Sequence, residues 1–200
     1  MAKVKLTKNE LKNQKDMLKR FQRYLPTLIL KKQQLQMVMR QVEAQVREKL
    51  EAKQAAQREI DTWIAVFGEP IDVSQYIHIS SLRTSIGNIA GIDIPVFEDL
   101  VFEPSDQDLF ATPPWVDSAI DALTKLLRFD AEIAVLEEQL KLLETELRIT
   151  TQRVNLFEKV KIPEAKENIR QIRIYLGDQQ TAAVVRGKIA KSKVERVAQS

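Results

Sequence analysis

The chain has 200 residues, 31 of them Lys or Arg and 28 Asp or Glu, for a net charge of +3 at neutral pH. It has no cysteine, which excludes disulfide frameworks and thiolate metal sites and points to a reducing cytosol. One histidine excludes His-pair metal sites, and 5 glycines with 30% charged residues suit long helices better than a mixed α/β domain. No apolar run approaches the ~20 residues of a membrane span, and the N-terminus lacks the apolar core of a signal peptide, so no export is expected.

The first predicted helix begins at Thr7, an N-cap with Glu10 three residues on in the capping-box position. It runs to Phe67, where Gly68-Glu69-Pro70 stops it. Its apolar seam is Leu11, Leu18, Phe21, Leu25, Leu28, Leu35, Met39, Val42, Val46, Ala56, Ile60, Trp63 and Phe67. Alternating steps of three and four are the pattern of a coiled-coil stripe. Gln14, Lys32, Lys49 and Lys53 are polar exceptions in it. The lysines are expected to snorkel over a partner helix; the alternative is that they set its register. Pro26 falls inside the helix and is expected to kink or loosen it.

The middle segment changes period. Residues 71–79 alternate and are rich in β-branched side chains, which predicts a strand containing His78. Residues 85–97 read as further strand, broken at Gly87-Asn88 and at Gly91. Pro95, Pro104, Pro113 and Pro114 exclude a long helix here.

A second helix is predicted from Trp115, with a seam of Trp115, Ala119, Ala122, Leu126, Phe129, Ile133, Leu136, Leu140, Leu143, Leu147, Val154 and Phe157. It resumes beyond Pro163 at Ala165, Ile169, Ile172, Leu176 and Ala183. Val154 to Ala165 is a seven plus a four, which unwinds a left-handed supercoil locally. Helices of about 90 Å and about 120 Å cannot bury their stripes on themselves. The expected fold is therefore all-α, a long antiparallel two-helix coiled-coil hairpin with a small middle segment containing a β-hairpin. Its parts are residues 1–67, 68–114 and 115–200. Facing residue numbers should sum to about 180–190, which puts Pro26 and Pro163 at one height and predicts a paired irregularity there. Trp63 and Trp115 are expected to pack together.

Charge is unevenly spread. Residues 1–23 carry +6 and residues 186–196 carry +4, whereas residues 68–114 carry −7. An antiparallel hairpin with these charges is basic at one tip and acidic at the other, which suggests a different partner at each end. Chemistry is hard to find. Gly187-Lys188 lacks the upstream glycines of a P-loop. The carboxylates Glu98, Asp99, Glu103, Asp106 and Asp108 lack EF-hand spacing. No catalytic, cofactor or metal residue is assigned. The rivals to a structural role are a nucleic-acid-binding or an adaptor coiled coil; aromatics do not interleave with the basic tracts as the former requires.

Four stretches resemble the D subunit of the V-type rotary ATPases, in a bacterial version. They are residues 6–11 (Leu-Thr-Lys-Asn-Glu-Leu), residues 28–35 (Leu-Ile-Leu-Lys-Lys-Gln-Gln-Leu, with Gln33 where the family usually has Arg), residues 88–97 (Asn-Ile-Ala-Gly-Ile-Asp-Ile-Pro-Val-Phe) and residues 151–163 (Thr-Gln-Arg-Val-Asn-Leu-Phe-Glu-Lys-Val-Lys-Ile-Pro). The chain departs from the family after Leu176, where residues 177–180 and 182–185 stand in place of Glu-rich sequence. The resemblance implies a non-catalytic rotor shaft of a proton- or sodium-translocating complex, cytoplasmic and peripheral to the membrane. Its implied partners are the catalytic A and B subunits, the F subunit and the C or d subunit above the membrane rotor ring, with no nucleic acid. Contacts to the A/B head are expected at Lys3, Lys5, Lys8, Lys12, Arg186, Lys188 and Lys191, and coupling contacts at Asn88, Gly91 and Pro95.

Overall fold

The computed structural model describes residues 4–62, 73–103, 113 and 115–198, with the backbone alone for Ser74 and Gln75. Trp63, Phe67, the Gly68-Glu69-Pro70 stop, Pro104, Asp106, Asp108 and Pro114 lie outside these residues. The described chain forms α1 (Lys8–Asp61), β1 (Ile79–Ile89), β2 (Ile92–Phe102), α2 (Trp115–Asn155) and α3 (Ile162–Ala198). A π-helical turn, Leu156–Lys161, links α2 to α3, and a 3-10 turn, Val73–Tyr76, precedes β1. Two compact units result, one of residues 1–31 and 150–200 and one of residues 32–149.

In the first unit α1 starts as the sequence predicts. Thr7 Oγ1 accepts from the Glu10 N–H at 3.2 Å, and the Thr7 carbonyl accepts from Leu11 N–H at 3.0 Å. The box is only half made: the Glu10 carboxylate accepts from Gln14 Nε2 at 2.8 Å, and the Thr7 N–H goes to the Lys5 carbonyl. Asn168 Nδ2 donates to Gln14 Oε1 at 3.4 Å, and the Phe21 and Phe157 rings lie 5.1 Å apart. As one number rises the other falls, so the pairing is antiparallel; the sum of 182 falls within the expected range of 180–190 and the sum of 178 just below it.

Several expectations are refined here. Pro26 lies inside α1, which continues as one helix across it. Pro26 and Gln22, whose carbonyl loses its donor to the proline, are both exposed, where solvent lowers the cost of the missing bond. A change of helix type falls on the other helix alone. There the seam runs Thr150, Val154, Phe157, Ile162, Ala165, Ile169, Ile172, Leu176, all buried or half-buried, with Thr151, Lys161 and Asn168 half-buried beside it. Their steps alternate three and four except for the five from Phe157 to Ile162, and the Ile162 N–H bonds to the Phe157 carbonyl across that gap. The surplus residue is absorbed in one wide turn rather than by unwinding the supercoil. Pro163, with no N–H to give to Lys159, favours a break at this place. Ala183 is exposed rather than part of the seam; α1 begins at Lys8 and has no turn left to cover it.

The second unit has its core at Leu35, Val42 and Leu143, with Val38, Met39, Leu136, Leu140 and Leu147 packed around them. Lys49 pairs with Glu132 and Lys53 with Asp130, again with falling numbers against rising ones. These seam lysines therefore meet acids on α2, and the Lys49 ammonium also lies 6.0 Å from the centre of the Phe129 ring. β1 and β2 form a two-stranded antiparallel sheet. Of the strand expected over 71–79, residues 71–72 lie outside the described residues, Val73–Tyr76 form a 3-10 turn and the strand begins at Ile79. β2 ends at Phe102, the partner of Ile79, so residues before it have no ladder to join, apart from the Glu103 N–H to the His78 carbonyl at 2.9 Å. His78 is thus just outside the strand. Gly87-Asn88 does not break β1 either: Gly87 pairs with Ile94 and Asn88 with Asp93. The chain reverses at Ala90 and Gly91, both with positive φ (+53° and +78°), as a two-residue hairpin turn of the primed type requires.

Candidate functional site

The residues predicted for coupling meet in the hairpin of the second unit. Asn88 clamps the turn from both sides, donating through Nδ2 to Asp93 Oδ1 at 2.7 Å and accepting the Gly91 N–H on Oδ1 at 3.2 Å. Gly91 holds the second positive φ, which an L side chain adopts only under strain. Pro95 offers its carbonyl to Gln139 Nε2 of α2 at 2.6 Å. Ala90 and Ile92 pack against the Leu35–Val42–Leu143 core, and Ile94 is 2% exposed. The hairpin therefore lies against the helices with its tip anchored by apolar contacts and its backbone by one buried amide.

Sequence reasoning missed the side chains that hold this arrangement. Gln139 is 6% exposed and sits beside the seam position Leu140; among Glu137, Glu138 and Lys141 its polarity did not stand out. Arg128 lies 3.6 Å from Asp99 and places its guanidinium 5.9 Å from the Phe102 ring, tying β2 to α2. The Lys49 ammonium reaches the buried Glu132 Oε2 without hydrogen-bond geometry, so that pair acts through charge.

The basic residues behave differently. Lys3 lies outside the described residues. Lys5 precedes α1, and Lys8 and Lys12 stand exposed on its first turns. Arg186, Lys188 and Lys191 stand exposed on α3, and Lys191 lies 3.8 Å from Glu195. The observed register puts α1's first turn opposite residues near 174. Arg186 to Lys191 are thus about 18–25 Å further along α3, and the two basic sets do not meet. Nearer the pairing, Arg170 donates to Glu167 at 2.9 and 2.7 Å and Gln171 at 3.0 Å. These bonds hold the Glu167 carboxyl down to about 2, with Arg170 the larger cause.

Among the described residues no group of three His, Cys, Asp or Glu stands close enough to hold a metal ion, and no helix is long and apolar enough to cross a membrane. The arrangement is one of packed seams, a clamped hairpin and exposed charge, suited to protein contacts.

The sequence model of the ATP synthase D-subunit family matches residues 10–192. The chain belongs to that family. It is 52% identical over 192 residues to the D subunit of the V-type ATP synthase of Borreliella burgdorferi, covering 96% of this chain and 95% of that one. It is 36% identical over 198 residues to the protein of the same name in Chlamydia pneumoniae, covering 96% and 93%. With the Chlamydia muridarum protein the identity is 34% over 200 residues, covering 98% of each chain. Membership of the D-subunit family agrees with the resemblance carried by residues 6–11, 28–35, 88–97 and 151–163.

Proposed function

We propose that this chain is the central-stalk rotor subunit of a V-type ATP synthase or ATPase and has no catalytic activity of its own. The observation that carries the reading is its similarity, along nearly the whole of both chains, to bacterial proteins named as the D subunit of V-type ATP synthase. Paired helical seams with a clamped hairpin support it, since such surfaces transmit force and offer little concave space for chemistry.

In this reading ATP is made or hydrolysed at the interfaces of the A and B subunits, on the cytoplasmic side of the membrane. Lys3, Lys5, Lys8, Lys12, Arg186, Lys188 and Lys191 contact that head as exposed charges. The F subunit binds the body of the chain, and the C or d subunit seats it above the membrane rotor ring. Asn88, Gly91 and Pro95 act in coupling by fixing the hairpin that a neighbouring subunit meets. Torque is then a coupling free energy between the angle of the stalk and the nucleotide affinity of each A/B site, reciprocal like any linked equilibrium.

The test is a pulldown from membranes of the source organism through a tag placed within residues 105–112, with the eluate identified by mass and assayed for ATPase. Recovery of A, B and F subunits with activity is the expected result. Recovery of nucleic acid alone, lost at higher salt, would overturn it.

A further inference from the structure

The second seam holds one residue more than its heptads need, and the whole surplus sits between Phe157 and Ile162. A helix can absorb such a surplus by widening one turn to π, or by staying α while the stripe drifts and the supercoil unwinds locally. This sequence is compatible with both. In the structure the turn is wide, Ile162 takes the seam position, and its N–H bonds to the Phe157 carbonyl. Were residues 156–162 α-helical, the steps from Val154 would be three, four and four, through Phe157 and Lys161 to Ala165. Lys161 would then lie on the seam with its aliphatic stem along α1. It is already half-buried and lines a small cavity with Gln14, Met17 and Phe21.

Little packing opposes an exchange between the two. No residue of the π turn is buried, and Asn155 makes no side-chain capping bond to it. Pro163 lacks an N–H in either arrangement. Within the segment Phe157 packs on Phe21 and Lys161 pairs with Glu164 on the surface; the other anchors lie outside it, Val154 being 5% and Ala165 3% exposed and Gln14 bonding Asn168. The outer anchors keep their places in both arrangements.

We propose that residues 156–162 form a two-state joint, in which Ile162 occupies the seam when the turn is π and Lys161 when it is α. Switching changes the local twist of α3 against α1 while the contacts on either side hold, as a packed bistable element does. The proposal concerns this chain alone and goes beyond the assignment of its partners.

It is tested on the full chain, labelled with nitrogen-15, by following backbone amide exchange residue by residue. Amides 157–162, the Pro163 position aside, are expected to exchange at least about tenfold faster than those of 150–154 and 165–172. Deleting Val160 removes the surplus residue and is expected to bring them to within about twofold of those flanks. Lys161→Leu favours the α arrangement at unchanged length and is expected to slow them as well; a merely weak, static π turn would not respond to it. Should the deletion variant fail to fold, Lys161→Leu decides. Equal protection of the segment and its flanks in the unaltered chain, or exchange unmoved by Lys161→Leu, overturns the joint.

Discussion

At Gly91 the backbone sets the cost of substitution with nothing else in play. Its φ is +78°, and a Cβ there would meet no atom within 4 Å. Gly91→Ala is therefore expected to destabilise the chain by about 1–2 kcal/mol through conformation alone. In denaturant titration the midpoint should fall while the slope stays the same. No change in midpoint would mean that the turn relaxes to another type. Glu167 offers a second test at this scale. Its pKa is depressed to about 2 from 4.5, first by the bonds from Arg170 and then by that from Gln171. A depressed carboxylate contributes stability that is present above its unfolded pKa and is lost as the pH falls through about 2. The groups are exposed, so the effect on stability is small and the proper readout is the residue itself. NMR titration should give Glu167 a midpoint near 2, and Arg170→Ala should return it toward the ordinary carboxylate range. An unaltered midpoint in the variant would remove Arg170 as the main cause.

Helical elements were easy to read in the sequence because their signal is long and redundant. Leu35, Val42 and Leu143 obey the stripe and are 0–4% exposed, and the Thr7 cap is where the Ser/Thr-x-x-Glu spacing puts it. What failed was short-range. The strand expected over 71–79 has the right residues, yet over 73–78 it lacks a partner, since the ladder ends at Ile79–Phe102. Gly87-Asn88 looks like a turn and is instead ladder, because Ala90, a residue that resists positive φ, takes up the reversal beside Gly91. Period alone could not say whether the surplus residue after Phe157 would unwind a supercoil or widen a turn; Pro163 next to it weights the second outcome. The Asn88–Gly91–Pro95 group was reached through resemblance to a family. Gln139, which fixes Pro95 from a helix 44 residues away in sequence, carried no local mark.

Across the molecule, the pairing of α1 with α3 stops well before α3 does. Leu176 is half-buried, and beyond it every described residue save Ala182 is exposed, including Val184 at 58%, Val194 at 69% and Val197 at 75%. A helix with no apolar face buried draws little stability from packing, and residues 186–196 add a charge of +4. Such a segment contributes almost nothing to the stability of the isolated chain, and its exposed Val184, Val185, Ile189 and Val194 offer apolar surface for contact with another protein. Ending the chain after Gln180 should therefore leave the Tm of the isolated protein within about 2 °C of the full chain's. Reconstitution of the shortened chain with A, B and F subunits should show ATPase activity or complex retention well below that of the full chain. A drop of several degrees would mean that the segment folds back on described residues of its own chain. Full activity with an unchanged Tm would remove Arg186, Lys188 and Lys191 from the head contact and give the segment no part in the complex.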